Sequence, residues 1–397
     1  MNKKNLILTL FVFCTISLAA QDTLKLNLSL RDAEQYALEH NRSMQNATLN
    51  VKKAYASRWQ TIASMLPQVS AGLDYSNMCG YEITLGQMKM AMPPSGTFSV
   101  TASIALSGSQ IVGALLNNLA IEMSDINAKK TEQDITSKVA TVYLSILAME
   151  KTTDLLEQNL KNLQNLFETT LNAVKVGVVE QTDADQISVQ VSSMQNGINV
   201  TKRSLEMLYN SLALQLGQGV DCKITLTQTL DELLNINRVM ELLQTDFDLS
   251  QNYDYQLLMK NTELSKKQIT MKAMEYVPSL GAYYQYSAKK YFSDEMTLNM
   301  TAPNMVGVSL KVPIWSSGVR TAGVMEKKLA YKAAQNTLID TENALRVQDK
   351  QLRYNLTSAY ENYQTQTKNL DVSQRVFDNI SKKFEQGYAS STEVTNS

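Results

Sequence analysis

Pro67-Gln68-Val69-Ser70-Ala71-Gly72-Leu73-Asp74-Tyr75-Ser76 and Pro278-Ser279-Leu280-Gly281-Ala282-Tyr283-Tyr284-Gln285-Tyr286-Ser287 are two versions of one segment, 211 residues apart. Outward from them, Asn41 and Gln45 recur at the same offset as Asn252 and Gln256. Ser107, Gly108, Gly177 and Thr182 recur 210 residues later as Ser317, Gly318, Gly387 and Thr392. A register kept over that length marks a duplicated structural half, and its period is too long for a solenoid unit.

Each quoted segment alternates as a strand does. Val69, Ala71, Leu73 and Tyr75 share one face; Gln68, Ser70, Gly72 and Asp74 share the other. A second strand, about 97–107, places Phe98, Val100, Ala102, Ile104 and Leu106 opposite Thr97, Ser99, Thr101 and Ser103. Leu280, Ala282, Tyr284 and Tyr286 match the first strand. Val306, Val308, Leu310, Val312 and Ile314 match the second. The expected strands are therefore about 67–76, 97–107, 278–287 and 304–314. Runs of about 9–11 residues with one apolar face suit tilted strands in a bilayer. A soluble sandwich would also bury one face, but here only four strands stand between very long helices. Four strands cannot close, and an open edge in lipid leaves backbone groups unpaired. The smallest spanning barrels need about eight strands, so the chain must assemble: a dimer supplies eight, a trimer twelve. Trp315 ends the fourth strand, where an interfacial aromatic anchors.

Between the strands lie heptad seams. Ile135, Val139, Val142, Ile146, Met149, Leu156, Leu160, Leu163, Phe167 and Val174 follow four-three spacing, interrupted by Thr153 and Thr170. Past Gly177 the seam resumes at Ile187, Val191, Met194, Ile198, Leu205, Leu208 and Leu212, which predicts an antiparallel hairpin. Glycine ends its first helix; Thr182 is the expected cap of the second, with Asp185 completing a capping-box-like pair. Leu352, Leu356, Ala359, Tyr363, Leu370, Phe377, Ile380 and Phe384 repeat the seam up to Gly387. As one helix, residues 108–176 would run about 100 Å.

Lys3 and Lys4, an apolar stretch from Leu6 to Leu18, then Ala19 and Ala20 have the layout of a secretory leader over 1–20. Cys14 would leave with it, and Cys79 and Cys222 are too few for a disulfide scaffold. A net charge of −1 from 37 basic and 38 acidic residues gives no electrostatic case for nucleic acid. His40 is the single histidine, with no second ligand nearby and no phosphate-binding glycine loop in the chain, so no catalytic, cofactor or metal site is expected. Met78, Met88, Met90 and Met92, with Met296 and Met300, crowd the expected loops. Thioethers beside Cys79 suit Cu(I), but the spacing also suits a hairpin.

Leader, strand pairs after Leu66-Pro67, the step Val312-Pro313-Ile314-Trp315 with Gly318, long paired helices and the repeat together resemble the TolC-like outer-membrane efflux proteins. Leu28-Ser29-Leu30 with Ala33, Ala37, Leu38 and Asn41 belong to the same pattern. The resemblance implies a mainly α fold with a membrane β-barrel part. Four strands per chain would contribute to a twelve-stranded barrel of a homotrimer in the outer membrane, facing its lipid through Val69, Leu73, Phe98, Val100, Ile104, Leu280, Tyr284, Val308, Leu310 and Val312. The long helices would form a periplasmic α-barrel. A first repeat over 21–217, an equatorial region over 218–250 and a second repeat over 251–397 are expected. The implied function is an exit duct of a tripartite efflux or type I secretion system. Its hairpin tips, Gly177, Val178, Thr182, Asp183, Gly387, Tyr388 and Thr392, would meet a periplasmic adaptor, which links the duct to an inner-membrane pump. Asp183 and Asp185 are also what a helix dipole favours at a helix start. Asp371, Asp378 and Glu385 recur every seven residues; in a closed trimer they would form acidic rings near the periplasmic mouth, and otherwise they are a solvated coiled-coil flank. By the 210-residue offset the last helix would end near residue 426, so a chain shortened by about 30 residues is expected, with an exposed seam from Leu352 to Phe384. The rival is a coiled-coil scaffold or adhesin without a pore.

Overall fold

A computed structural model of the chain describes residues 25–86, 88–219, 222–234, 236–292 and 302–397; the expected leader lies outside them. Two compact units are formed, and each draws on both copies of the repeat. The first comprises the described residues of Met1–Gln45 with Thr131–Phe247 and Gln348–Ser397; the second comprises Asn46–Lys130 and Asp248–Val347.

In the first unit, β1 (Lys25–Leu28) pairs in parallel with β6 (Lys223–Leu226). Ser29 caps α1 (Leu30–His40) through a reciprocal box with Asp32, and the bond from Ser29 holds the Asp32 carboxyl below its ordinary pKa. Ala33 and Ala37 on α1 are fully buried against Leu28, Val139, Tyr143, Ile146, Leu212 and Leu216. Apart from Leu28 of β1, these come from α3 (Gly108–Lys175) and from α4 (Gln181–Gln215) with the residue after it. Ile135, Val139 and Ile146 hold their expected seam places. Tyr143, outside the predicted seam, is completely buried because its hydroxyl finds the Leu28 carbonyl oxygen at 3.1 Å. Thr153 and Thr170, the apparent breaks in the seam, are themselves buried. Thr153 satisfies its hydroxyl on the Met149 carbonyl at 2.8 Å. Two short helices, α5 (Leu230–Leu233) and α6 (Ile236–Gln244), follow β6. Arg353 donates to the carbonyls of Leu242, Leu243 and Thr245 while its Nε bonds Asp349, so one guanidinium serves the C-terminal carbonyls of α6.

In the second unit, α2 (Arg42–Ala63) leads to β2 (Gln68–Ser76), and α7 (Tyr253–Ala273) leads to β7 (Ser279–Tyr291). The duplication holds at the cap: Asn41 Oδ1 accepts from Ser43 N at 2.8 Å, and Asn252 Oδ1 from Tyr255 N at 3.0 Å. A hairpin of β3 (Glu82–Leu85) and β4 (Met88–Ala91) separates β2 from β5 (Ser95–Leu106); β8 (Asn304–Lys311) precedes α8 (Val319–Glu385), whose residues from Gln348 on, like α9 (Ser391–Asn396), belong to the first unit. The sheet order is β2-β5-β7-β8, antiparallel throughout, with β2 and β8 at its edges.

Three strand limits differ from expectation. β5 begins at Ser95 and β7 continues to Tyr291 because those ends pair with each other. β8 stops at Lys311, so Val312 and Trp315 lie beyond it: Pro313 has no amide to donate to a ladder.

Candidate functional site

Two regions carry the chemistry to be explained: the polar and apolar faces of the sheet, and the paired turns of the helical unit.

Pairing aligns the predicted faces. Val69 pairs with Ala102, Ala102 with Tyr284 and Tyr284 with Val306; Leu73 pairs with Phe98; Ile104 pairs with Ala282, which pairs with Val308; Leu106 pairs with Leu280, which pairs with Leu310. One face of all four strands is therefore a continuous apolar surface in contact with solvent in the single chain: Leu73 is 81% exposed and Val308 72%. A soluble monomer rarely shows such a patch. Val100 belongs to the same rows, paired with Ala71 and Tyr286. On the opposite face Ser70 pairs with Thr101, Thr101 with Gln285 and Gln285 with Met305; Asp74, Thr97 and Lys289 form another row. Beyond β8, Ile314 and Trp315 are 90% and 84% exposed. Arg320 on α8 holds that segment, donating to the Pro313 carbonyl at 3.0 Å while its guanidinium lies 5.3 Å from the Tyr276 ring centre.

The two turns repeat one geometry. Gly177 and Gly387 have φ of +77° and +75°, a conformation glycine adopts without strain. Gly177 N bonds Val174 O and Val178 N bonds Ala173 O; Gly387 N bonds Phe384 O and Tyr388 N bonds Lys383 O. This is the double bond pattern of a left-handed helix stop. The following caps differ from expectation. Glu180 is the cap residue of α4 and makes no side-chain bond there, so Thr182 and Asp185 lie inside the helix; Asp185 accepts from Gln181 at 2.9 Å instead. The reciprocal box forms in the second copy, between Ser390 and Glu393, because a short hydroxyl side chain occupies that cap. Thr392 likewise lies within α9.

The structure brings the turns together. Val178 and Val179 from the first, and Gly387, Tyr388 and Ser390 from the second, line one groove of about 850 Å³ with Phe377, Phe384 and Glu385. Val178 and Tyr388 are largely exposed at its mouth. Thr182 and Thr392 are exposed and Asp183 is half-buried; none of these three lines the groove. Val179 and Ser390 are members that sequence reasoning missed; their 210-residue counterparts, Ala389 and Glu180, differ in type, so the repeat carried no signal. Asp371, Asp378 and Glu385 are exposed along α8, and Arg375 and Lys382 fall between them at helical spacing on the same edge. Arg375 reaches Asp371 at 3.7 Å; Asp378 accepts from Gln374 at 2.9 Å.

His40 stacks on Tyr36 with centres 4.0 Å apart, a packing role. Among the described residues no cluster of three or more His, Cys, Asp or Glu side chains could hold a metal. The side chains of Met88 and Met90, and residues Met296 and Met300, lie outside the described residues. Among the described residues no helix is long and apolar enough to cross a membrane.

The family described as "Outer membrane efflux protein" matches residues 34–218 and 249–397. Among solved structures, the CmeC outer membrane channel of Campylobacter jejuni is similar at 14% identity and a TM-score of 0.75, over 92% of this chain and 80% of that one. The open-state MtrE outer membrane channel of Neisseria gonorrhoeae is similar at 17% identity and a TM-score of 0.72, over 92% and 82%. VceC of Vibrio cholerae, an outer membrane protein, is similar at 14% identity and a TM-score of 0.70, over 92% and 88%.

Proposed function

Because the chain belongs to the outer membrane efflux protein family, we propose that it is the passive exit duct of a tripartite export system. The observation that carries this reading is the open four-stranded sheet, with an apolar face running through every strand and edges at β2 and β8 that no other strand of the described residues pairs. A bilayer takes such a face only if the edges pair, so copies of the chain join β8 to β2 until the sheet closes. Three copies make twelve strands, the number the family resemblance implies. The apolar face then meets outer-membrane lipid, Trp315 sits at the lipid interface beyond β8, and the hydroxyl-rich face lines the conduit. The helical unit extends into the periplasm. There the apolar tips Val178 and Tyr388, beside Gly177 and Gly387, receive a periplasmic adaptor that couples the duct to an inner-membrane pump. Cargo is chosen by the pump and is an expelled small molecule or, in a type I secretion system, a polypeptide. The duct itself catalyses nothing.

Light scattering of the detergent-extracted chain tests the reading, with a trimer expected. A soluble monomer would sink it and leave the pore-less scaffold. Val178→Asp with Tyr388→Asp should keep the trimer and lose export together with adaptor crosslinking; retained crosslinking would remove the tips from the docking surface.

A further inference from the structure

We propose that Tyr283 sets the width of the conduit at the sheet, and that Gly307 is the berth that keeps its ring out of the lumen; this rests on the duct reading above. Tyr283 lies on the hydroxyl-rich face of β7, paired with Ser103 on one side and Gly307 on the other. Its ring lies down on the sheet across β8. A Cβ placed on Gly307 would fall 2.4 Å from Tyr283 Cε1, 2.5 Å from Cζ and 2.7 Å from the hydroxyl oxygen. Those distances are impossible for any side chain, so only glycine at 307 permits this ring position. The contact involves the far half of the ring, which shows that the side chain runs along the sheet instead of standing up from it.

Glycine weakens a strand, so its presence inside one marks a close approach. Gly281 and Gly72 on the same face meet Ser309 Oγ and Ser99 Oγ, which a Cβ would approach to 2.9 Å and 3.3 Å. Those neighbours are small hydroxyls that can rotate away. Tyr283 is different: the next bulky side chain on β7, Tyr284, points to the apolar face and bonds Asn304 Oδ1 at 2.7 Å. With Gly307 replaced, Tyr283 has to leave the sheet surface, and the open direction is the lumen. In a closed assembly each chain supplies one such ring at the same height. The class of cargo that this level discriminates is therefore set by size and not by charge.

The test uses the full chain in planar bilayers, with polyethylene glycols of graded size added on the outer side. Gly307→Val is expected to shift the cut-off to smaller polymers than wild type admits, and adding Tyr283→Ala should restore it. Should Gly307→Val fail to assemble, Gly307→Ala carries the same expectation, since its methyl group already meets the ring. In parallel, Tyr283→Trp in a Trp59→Phe, Trp315→Phe background reports ring position: acrylamide quenching should rise when Gly307→Ala is added. A conducting wild type whose cut-off is unchanged by either Gly307 variant overturns this inference alone, as does a double variant as narrow as Gly307→Val. A wild type that conducts no ions overturns the duct reading and this inference with it.

Discussion

Tyr209 on α4 donates its hydroxyl to Glu150 Oε1 on α3 at 2.5 Å, joining the two arms of the hairpin beside buried Tyr143. Burial, then the bond to Glu150 and its negative charge, push the phenol well above its ordinary value. A raised folded-state pKa has a definite sign. The stabilisation is complete below the unfolded value of about 10 and is lost as pH rises from there through the higher folded value. The urea midpoint should therefore fall above about pH 10, and Tyr209→Phe should fall less over the same range. The quantity to compare is the difference between variant and wild type; equal slopes would show that the pair contributes no linkage. Nothing in the sequence pointed to this pair. Heptad spacing places Leu205 and Leu208 on the seam, yet Tyr209 beside them finds its partner from the flank. Which flank residue reaches across depends on the rotation of both helices.

At the scale of the element, the edge of α8 was legible in its acidic repeat and incomplete in its chemistry. Asp371, Asp378 and Glu385 keep a heptad position, but Arg375 and Lys382 occupy the same edge four residues after the first two. With Lys368, which precedes Asp371 as Arg375 precedes Asp378, three cations stand against three carboxylates and the edge is balanced. If the edge faces the conduit, Asp378→Asn should lower cation over anion permeability modestly in reversal-potential measurements. Unchanged selectivity would assign the edge to solvent. The turns at Gly177 and Gly387 were readable because a left-handed helix stop needs glycine whatever packs around it. The caps after them were not readable to the residue. Thr182 and Ser390 are both capping types, and the choice between neighbouring positions depends on where the turn lets the helix begin.

For the whole molecule, the proposed duct turns on which sheet face would meet lipid. Val100 and Thr101 are neighbours near the middle of β5 and point to opposite faces. Val100→Arg should cost about 2–4 kcal/mol per chain at the bilayer midplane and abolish the detergent-stable assembly. Thr101→Arg should assemble and change ion selectivity. The reverse result would turn the sheet inside out. Period-two patterning makes the two faces legible in the chain itself, because one face of the four strands is apolar at nearly every alternate position, Lys290 and Asn304 at the strand ends excepted. The duplicated halves are legible for the same reason: the repeat preserves types at fixed spacing, as in Asn41 and Asn252.

Sequence alone therefore determined the four strands of the main sheet to within a few residues, their two faces, the long helices, the turn glycines and the duplication, since each follows from periodicity or from a local backbone demand; the β1–β6 pair and the β3–β4 hairpin carried no such signal. Only the tertiary structure decided that Val178 and Tyr388 border one groove, that Tyr143 rather than Val142 is completely enclosed, and that Tyr283 lies across Gly307. Those facts join residues far apart in the chain, and their distances are set by how helices rotate and strands pair, which local spacing does not encode.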